Sequence, residues 1–274
     1  MTPHTNQAYL VNEEYDDAAD LETRIQIQDD FNTHPQSWFE WFFDQLDLPA
    51  QGRILELGCG SGGLWLENMH RLPSKWEITL SDLSIGMLED ARQNLGSNQD
   101  QFTFEVIDSQ LIPFADSYFN AVIANGLFDH VPDRSQAFGE VCRVLKPGGC
   151  LYASAGSQTH LQELEALVKP FLPEVNYGGA SEEFGLENGL AQLSEWFPGA
   201  AMHRYRGALI FKEIEPILAY VLSEGTVKSE LTGRKRAEFT RFLEQKLARQ
   251  GEIRVTVDKG LIKAYKAISQ GETR

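Results

Sequence analysis

Between residue 53 and about residue 155, short apolar runs alternate with stretches in which apolar residues recur at spacings of three and four. The runs Arg53–Leu57, Glu77–Ser81, Phe102–Ile107, Phe119–Ala124 and Gly149–Ala153 predict strands, and helices are predicted over about 63–70, 84–95 and 134–145. Such alternation implies crossover connections, and hence a mostly parallel sheet with helices on both faces. Ser84 caps its helix as a side-chain acceptor, and Lys146, Pro147, Gly148 and Gly149 end the next with proline and glycine punctuation.

The flanks read differently. Residues 1 to about 32 are polar and acidic, with Glu13, Glu14, Asp16 and Asp17, and lack the apolar density of an independent core, so they are expected to form an arm or lid. Pro35 opens a helical stretch to Leu46 with apolar residues at 38, 39, 42 and 46, which should pack on the sheet. After residue 155 the pattern predicts helices over about 158–168 and 187–197 and a strand near Met202–Tyr205. Two further helices are predicted over about 213–223 and 234–249. The closing stretch 253–265 carries two alternating runs around Asp258, Lys259 and Gly260, the signature of a hairpin. His203, Tyr205 and Arg206 are expected on the surface of an edge strand.

Composition narrows the classes. The 274 residues allow one large core with appendages. No apolar run reaches the length of a membrane span and the first residues lack a signal-peptide pattern, so a soluble cytoplasmic protein is expected. The net charge of −16 opposes recruitment of nucleic acid or an anionic membrane. A local basic run, Arg234, Lys235, Arg236, Arg241, Lys246 and Arg249, reads as a solvated helix face. Cys59, Cys142 and Cys150 have no zinc or disulfide spacing, and no metal site is expected.

Candidate chemistry concentrates where the first strand runs into Gly58, Gly60 and Gly62. Glycines there allow a tight turn and close approach of a ligand to the backbone. Gly58, Gly60 and Gly63 also satisfy the dinucleotide pattern G-x-G-x-x-G, so neighbouring residues must decide. In an open parallel sheet, ligands bind beyond the carboxyl ends of the strands. Asp82 follows the second strand, where a carboxylate can accept ribose hydroxyls. Asp108 and Ser109 follow the third, where they suit the edge of an adenine.

Taken with their spacing, these motifs resemble those of class I S-adenosylmethionine-dependent methyltransferases, in the broad group that includes small-molecule and quinone methylating enzymes. Residues 54–62 resemble that family's first motif, 80–88 its second, 106–114 its third and 143–149 its post-motif helix end. The resemblance implies an α/β, doubly wound, mostly parallel seven-stranded Rossmann-like sheet with an antiparallel C-terminal strand. Residues 1–48 would be the arm and helix, and 49–274 the methyltransferase domain, with helical additions in 171–250 over the acceptor side. By the same resemblance S-adenosylmethionine is the cofactor. Gly58, Gly60 and Gly62 carry its methionine portion, Asp82 the ribose, Leu83 and Met87 the adenine faces, and Asp108 and Ser109 the adenine edge. Asn125 stands at the end of strand four and Glu56 orients the loop. Trp65, the stretches 130–133 and 186–189, and Asp258, Lys259 and Gly260 are similar to one bacterial subgroup. Asn120 and the stretch 126–129 depart from the family pattern, the latter beside the transferred methyl.

Methyl transfer from a sulfonium needs mainly alignment and exclusion of water, and a base only if the acceptor is protonated. His130 and His160 follow strands four and five and are candidates for it, and Asp129 is a candidate to hold His130 or to contact an amine. The acidic, glycine-rich stretch 171–189, including Tyr177, Gly178, Gly179, Ala180, Ser181, Glu182 and Glu183, is expected to form a cover with the arm, and its charge favours a cationic or neutral acceptor. The leading expectation is an enzyme methylating oxygen or nitrogen of a small molecule. The alternatives are a non-catalytic S-adenosylmethionine-binding regulator and a nicotinamide-dependent dehydrogenase, which would leave Asp108 and Ser109 without a role.

Overall fold

The computed structural model describes residues 5–174 and 179–268. Its strands are β1 (Gly52–Leu57), β2 (Trp76–Asp82), β3 (Phe102–Val106), β4 (Phe119–Asn125), β5 (Leu145–Gly156), β6 (Ala201–Phe211) and β7 (Ile253–Tyr265). They form one sheet in the order β3-β2-β1-β4-β5-β7-β6, in which β7 runs antiparallel to both its neighbours and the other pairings are parallel.

The helices are α1 (Gln7–Tyr9), α2 (Ala19–Phe31), α3 (Trp38–Asp44), α4 (Gly63–Asn68), α5 (Ile85–Leu95), α6 (Arg134–Val144), α7 (Gln162–Val168), α8 (Gly179–Glu183), α9 (Gly189–Leu193), α10 (Glu215–Leu222), α11 (Gly225–Glu230) and α12 (Gly233–Gln250). Ser84 does cap α5, accepting from Met87 N at 3.3 Å. Tyr177 and Gly178 of the expected cover lie outside the described residues.

Strand alternation sorts the core into two layers, because successive side chains point to opposite faces. Ile54, Ala121, Ile123, Cys150, Tyr152, Val255 and Val257 join α3, α4, α5, α7, α10 and α12 on one face. Leu55, Leu57, Val122, Ala124, Leu151, Ala153, Ile262 and Ala264 pack with α6 and α9 on the other. A sheet covered on both faces has its open groups only at the strand ends, which is where the site lies.

Three expectations need correction. Residues 253–265 are one continuous strand, not a hairpin, paired with both β5 and β6. Gly260 serves close approach rather than a turn: a Cβ there would lie 2.4 Å from the His203 carbonyl oxygen. Tyr205 is buried, since Asn32 bridges to Leu209 and residues 32–41 cover that face of the edge strand. The residues Lys146–Gly149 belong to β5, where the register shifts between Phe119 and Ala121 and Gly148 takes a positive φ of 75°. In the basic run, Arg234, Lys235, Arg236, Arg241 and Arg249 are exposed, while Phe239 and Leu243 of the same helix are buried.

Candidate functional site

β1 ends in a loop in which Gly58 and Gly60 hold φ of 67° and 52°, conformations that a side chain would strain. Space is tight as well: a Cβ on either would lie 3.0 Å from the Leu127 or Leu21 side chain respectively, which would have to give way. The Cys59 N–H donates to the Ser81 carbonyl at 2.9 Å and the Gly60 N–H to Asp82 Oδ2 at 3.0 Å, so the loop is tied to the end of β2. Ser84 N–H donates to the other carboxylate oxygen at 2.9 Å. Burial raises the Asp82 pKa, against the pull of these backbone donors. Asp108, one strand further, accepts from the Gln110 backbone at 2.9 Å and from Gln7 Nε2 at 3.1 Å. Burial raises its pKa, but the bonds from Gln110 and Gln7 outweigh it and hold the carboxyl below its ordinary value.

These groups line one cavity, which is open to solvent at its mouth. Of the residues expected from the sequence, it brings together Gly58, Gly60, Asp82, Leu83, Met87, Asp108, Ser109, Asn125 and His130. Glu56, Gly62, Asp129 and His160 are not among the lining residues. Glu56 is buried behind the loop and accepts from Trp65 Nε1. Gly62 begins α4 and packs on Ala91 of α5. Asp129 Oδ2 lies 3.9 Å from His130 Nε2. His160 Nδ1 accepts the Asp258 N–H at 3.3 Å, and burial together with Lys259 lowers its pKa to about 3.

The other wall comes from the N-terminal arm, through Gln7, Leu10, Val11, Tyr15 and Leu21. Sequence patterning missed these as lining residues because nothing local ties residue 7 to residue 108. The arm is held at several points. Tyr15 Oη lies 3.3 Å from His130 Nε2, and the Ala18 N–H donates to Asp90 at 2.8 Å. Arg24, buried on α2, pairs with Glu14 at 3.4 Å and Glu224 at 3.7 Å, and Glu14 also accepts the Gly225 N–H at 3.1 Å.

Glu56 yields a pH prediction. Burial, reinforced by Asp82 and opposed by the Trp65 bond, raises its pKa to about 8. Between the ordinary carboxylate range and about pH 8 the folded chain therefore holds a proton that the unfolded chain has lost, so this group makes stability fall as pH rises through that window. Glu56→Gln keeps an acceptor for Trp65 and cannot ionise. Thermal unfolding of the variant is expected to lose less stability than wild type between pH 5 and pH 8. Equal losses in the two proteins would show that Glu56 does not titrate in this way.

Residues 54–149 match the family model described as a methyltransferase domain. That segment, about a third of the chain, carries the likeness to class I S-adenosylmethionine-dependent methyltransferases. A ubiquinone/menaquinone biosynthesis C-methyltransferase of Desulfotalea psychrophila is 35% identical over 114 residues, 42% of this chain and 45% of that one. A malonyl-[acyl-carrier protein] O-methyltransferase of Geobacter sulfurreducens is 34% identical over 127 residues, 46% and 47% of the two chains. The chain thus spans about half the length of the curated relatives it matches. Phosphoethanolamine N-methyltransferase 2 of Haemonchus contortus, solved with phosphomonomethylethanolamine and S-adenosylhomocysteine, shares the fold. Its TM-score is 0.57 at 16% identity, covering 97% of this chain and 61% of that one. No helix among the described residues is long and apolar enough to cross a membrane.

Proposed function

We propose that this protein transfers a methyl group from S-adenosylmethionine to an oxygen or nitrogen of a small-molecule acceptor. The observation that carries the reading is the joining, in one cavity, of the side-chain-free loop at Gly58 and Gly60, the doubly anchored Asp82, and Asp108 with Ser109. These residues fit the cofactor. Both oxygens of Asp82 are oriented by backbone donors and suit a ribose diol, Leu83 and Met87 offer apolar faces to a purine, and Asp108 offers an acceptor for its exocyclic amine. When bound, the cofactor supplies a methyl made electrophilic by its sulfonium. The chain's own work is to align the acceptor and to exclude water, and the apolar arm residues Leu10, Val11 and Leu21 serve the second as a lid.

The relatives named above include carbon and oxygen methylating enzymes, so the acceptor atom is argued from this site. Asn125 ends β4 with its Oδ1 accepting from Trp38 Nε1 at 3.1 Å and Ser154 Oγ at 2.7 Å, and His130 stands beside it on the cavity wall. Polar groups there can hydrogen-bond a heteroatom nucleophile, which an apolar wall could not do. Calorimetric titration tests the class. Saturable binding of S-adenosylhomocysteine with no binding of NAD is expected, and binding of NAD alone would return the glycine loop to a dehydrogenase.

A further inference from the structure

Beyond Asn125 the same sheet face continues toward the edge. In β-pairs, directly opposed residues share a face and so do alternate residues along a strand. Asn125 is opposite Ser154, Gly156 lies two residues after Ser154, Lys259 is opposite Gly156, and Tyr205 is opposite Lys259. These residues therefore form a row across four strands at the crevice end, under α2 and α3. Gly156 carries no side chain, and the His160 ring packs over it, 3.2 Å from where a Cβ would stand. Trp38 links Asn125 to Lys259 across the row: its indole N–H donates to Asn125, and its ring lies 4.3 Å from Lys259 Nζ.

Lys259 is placed unlike a surface lysine. Its amine donates to Gln28 Oε1 of α2 at 2.8 Å and lies 5.7 Å from the Tyr205 ring. The charged or titratable groups facing it are Asp29 of α2, His160 after β5, and Tyr205 of β6, and Asp29 acts on it through its field. Burial, opposed by Asp29, lowers the amine's pKa to about 7, so a large part of it is neutral near neutral pH. His160, whose Nδ1 already accepts a backbone N–H, carries its proton on Nε2 when neutral and so offers a donor rather than a base.

We propose that Lys259, on the Trp38 ring beside Asn125, binds the acidic hydroxyl of the methyl acceptor and takes its proton, which makes the acceptor an enol or a phenol. This rests on the methyltransferase reading above and names its substrate class. The hydroxyl's O–H bond breaks, its electron pair stays on oxygen, and the proton passes to Nζ. The ammonium and oxyanion then form a pair with no net charge. The oxyanion forms the new bond to the methyl carbon as the carbon–sulfur bond breaks with its electrons to sulfur, and the ammonium later releases its proton to water. A neutral hydroxyl also enters an acidic chain without the repulsion an anion would meet. Trp38 is backed by Tyr205, which is itself covered by His34 and Trp41, so the indole beside Lys259 is held in place.

The probe is 4-nitrophenol, whose ionised and neutral forms absorb at different wavelengths, titrated into protein saturated with S-adenosylhomocysteine. 4-Nitroanisole, which has no acidic proton, is the control. Wild type is expected to bind the phenol saturably, with the phenolate band appearing below the pH at which the free probe ionises, and to bind the anisole at least about tenfold more weakly. Lys259→Met is expected to lose that band and at least about tenfold in phenol affinity, while its affinity for S-adenosylhomocysteine is unchanged. Lys259→Arg, which keeps a long cation but cannot take a proton, is the second variant. It is expected to bind the phenolate too, but to release the phenol's proton to the buffer as it does so, whereas wild type keeps that proton on Nζ and releases less. The proposal is overturned if the loaded wild type binds no phenol, binds it only in its neutral form, or shares its phenol behaviour with both variants. Failure of wild type to bind S-adenosylhomocysteine at all would instead overturn the methyltransferase reading.

Discussion

Asp82→Ala is expected to weaken S-adenosylhomocysteine binding about 100-fold, the equivalent of two hydrogen bonds to a charged group at roughly 1.5 kcal/mol each. The size of the effect follows from how the carboxylate is held. One oxygen takes the Gly60 N–H and the other the Ser84 N–H, so both are fixed before any ligand arrives and each retains a lone pair for a ribose hydroxyl. Alanine removes those acceptors and also unties the glycine loop from β2. Asp82→Asn keeps one acceptor oxygen and should fall between alanine and wild type. Calorimetry measures the affinities, and circular dichroism checks that each variant is folded. An alanine variant binding within about twofold of wild type would remove Asp82 from the ribose role, because it would leave less than about 0.5 kcal/mol to the carboxylate.

Part of the cavity lining was legible in the sequence because its residues are local to strand ends. In a parallel sheet the position just after each strand falls in the crevice whatever the rest of the chain does, so Gly58, Asp82 and Asp108 follow from strand positions, whereas Asn125 came from the resemblance. Glu56 and Gly62 belong to the same motif but stand behind the loop. Motif membership does not separate a group that touches the cavity from one that shapes its wall.

The row that carries Lys259 was not legible, for a different reason. Lys259 and Tyr205 meet only through the pairing of β6 with β7, which are separated in sequence by α10, α11 and α12. Locally, Asp258, Lys259 and Gly260 carry the same signal as a hairpin turn. The absence of a Cβ suits a turn and a close strand crossing equally, and only the register distinguishes them. Tyr205 was placed on the surface because alternation assigns a face but not its cover. That cover comes from residues 32–41, more than 160 positions earlier in the chain. The arm itself is polar in composition because it contributes few side chains to the core. Its apolar residues Leu10, Val11 and Leu21 face the cavity instead.

The second large effect is expected at Arg24. Its guanidinium is buried between Glu14 and Glu224 and donates to the Ser223 carbonyl, so the arm and the start of α11 are joined through one cation. Arg24→Met fills similar space but leaves two carboxylates facing each other, and breaking a buried pair in this way costs about 3–5 kcal/mol. Burial, with Glu224 adding to it and Arg24 opposing it, already raises the Glu14 pKa, so removal of the cation pushes it further toward protonation. The cheapest relief is local. The arm has many polar contacts and few in the core, so it should detach while the sheet stays folded. Limited proteolysis read by mass spectrometry should then show new cuts within residues 5–31, and S-adenosylhomocysteine should bind more weakly because part of its cavity wall has gone. Gly86→Ala tests the same detachment without touching the ion cluster, since a Cβ there would lie 1.8 Å from the Asp16 carbonyl oxygen and must displace the arm. If both variants resist protease as wild type does and keep its affinity, the arm is not the mobile wall of this site, and the exclusion of water must be assigned elsewhere.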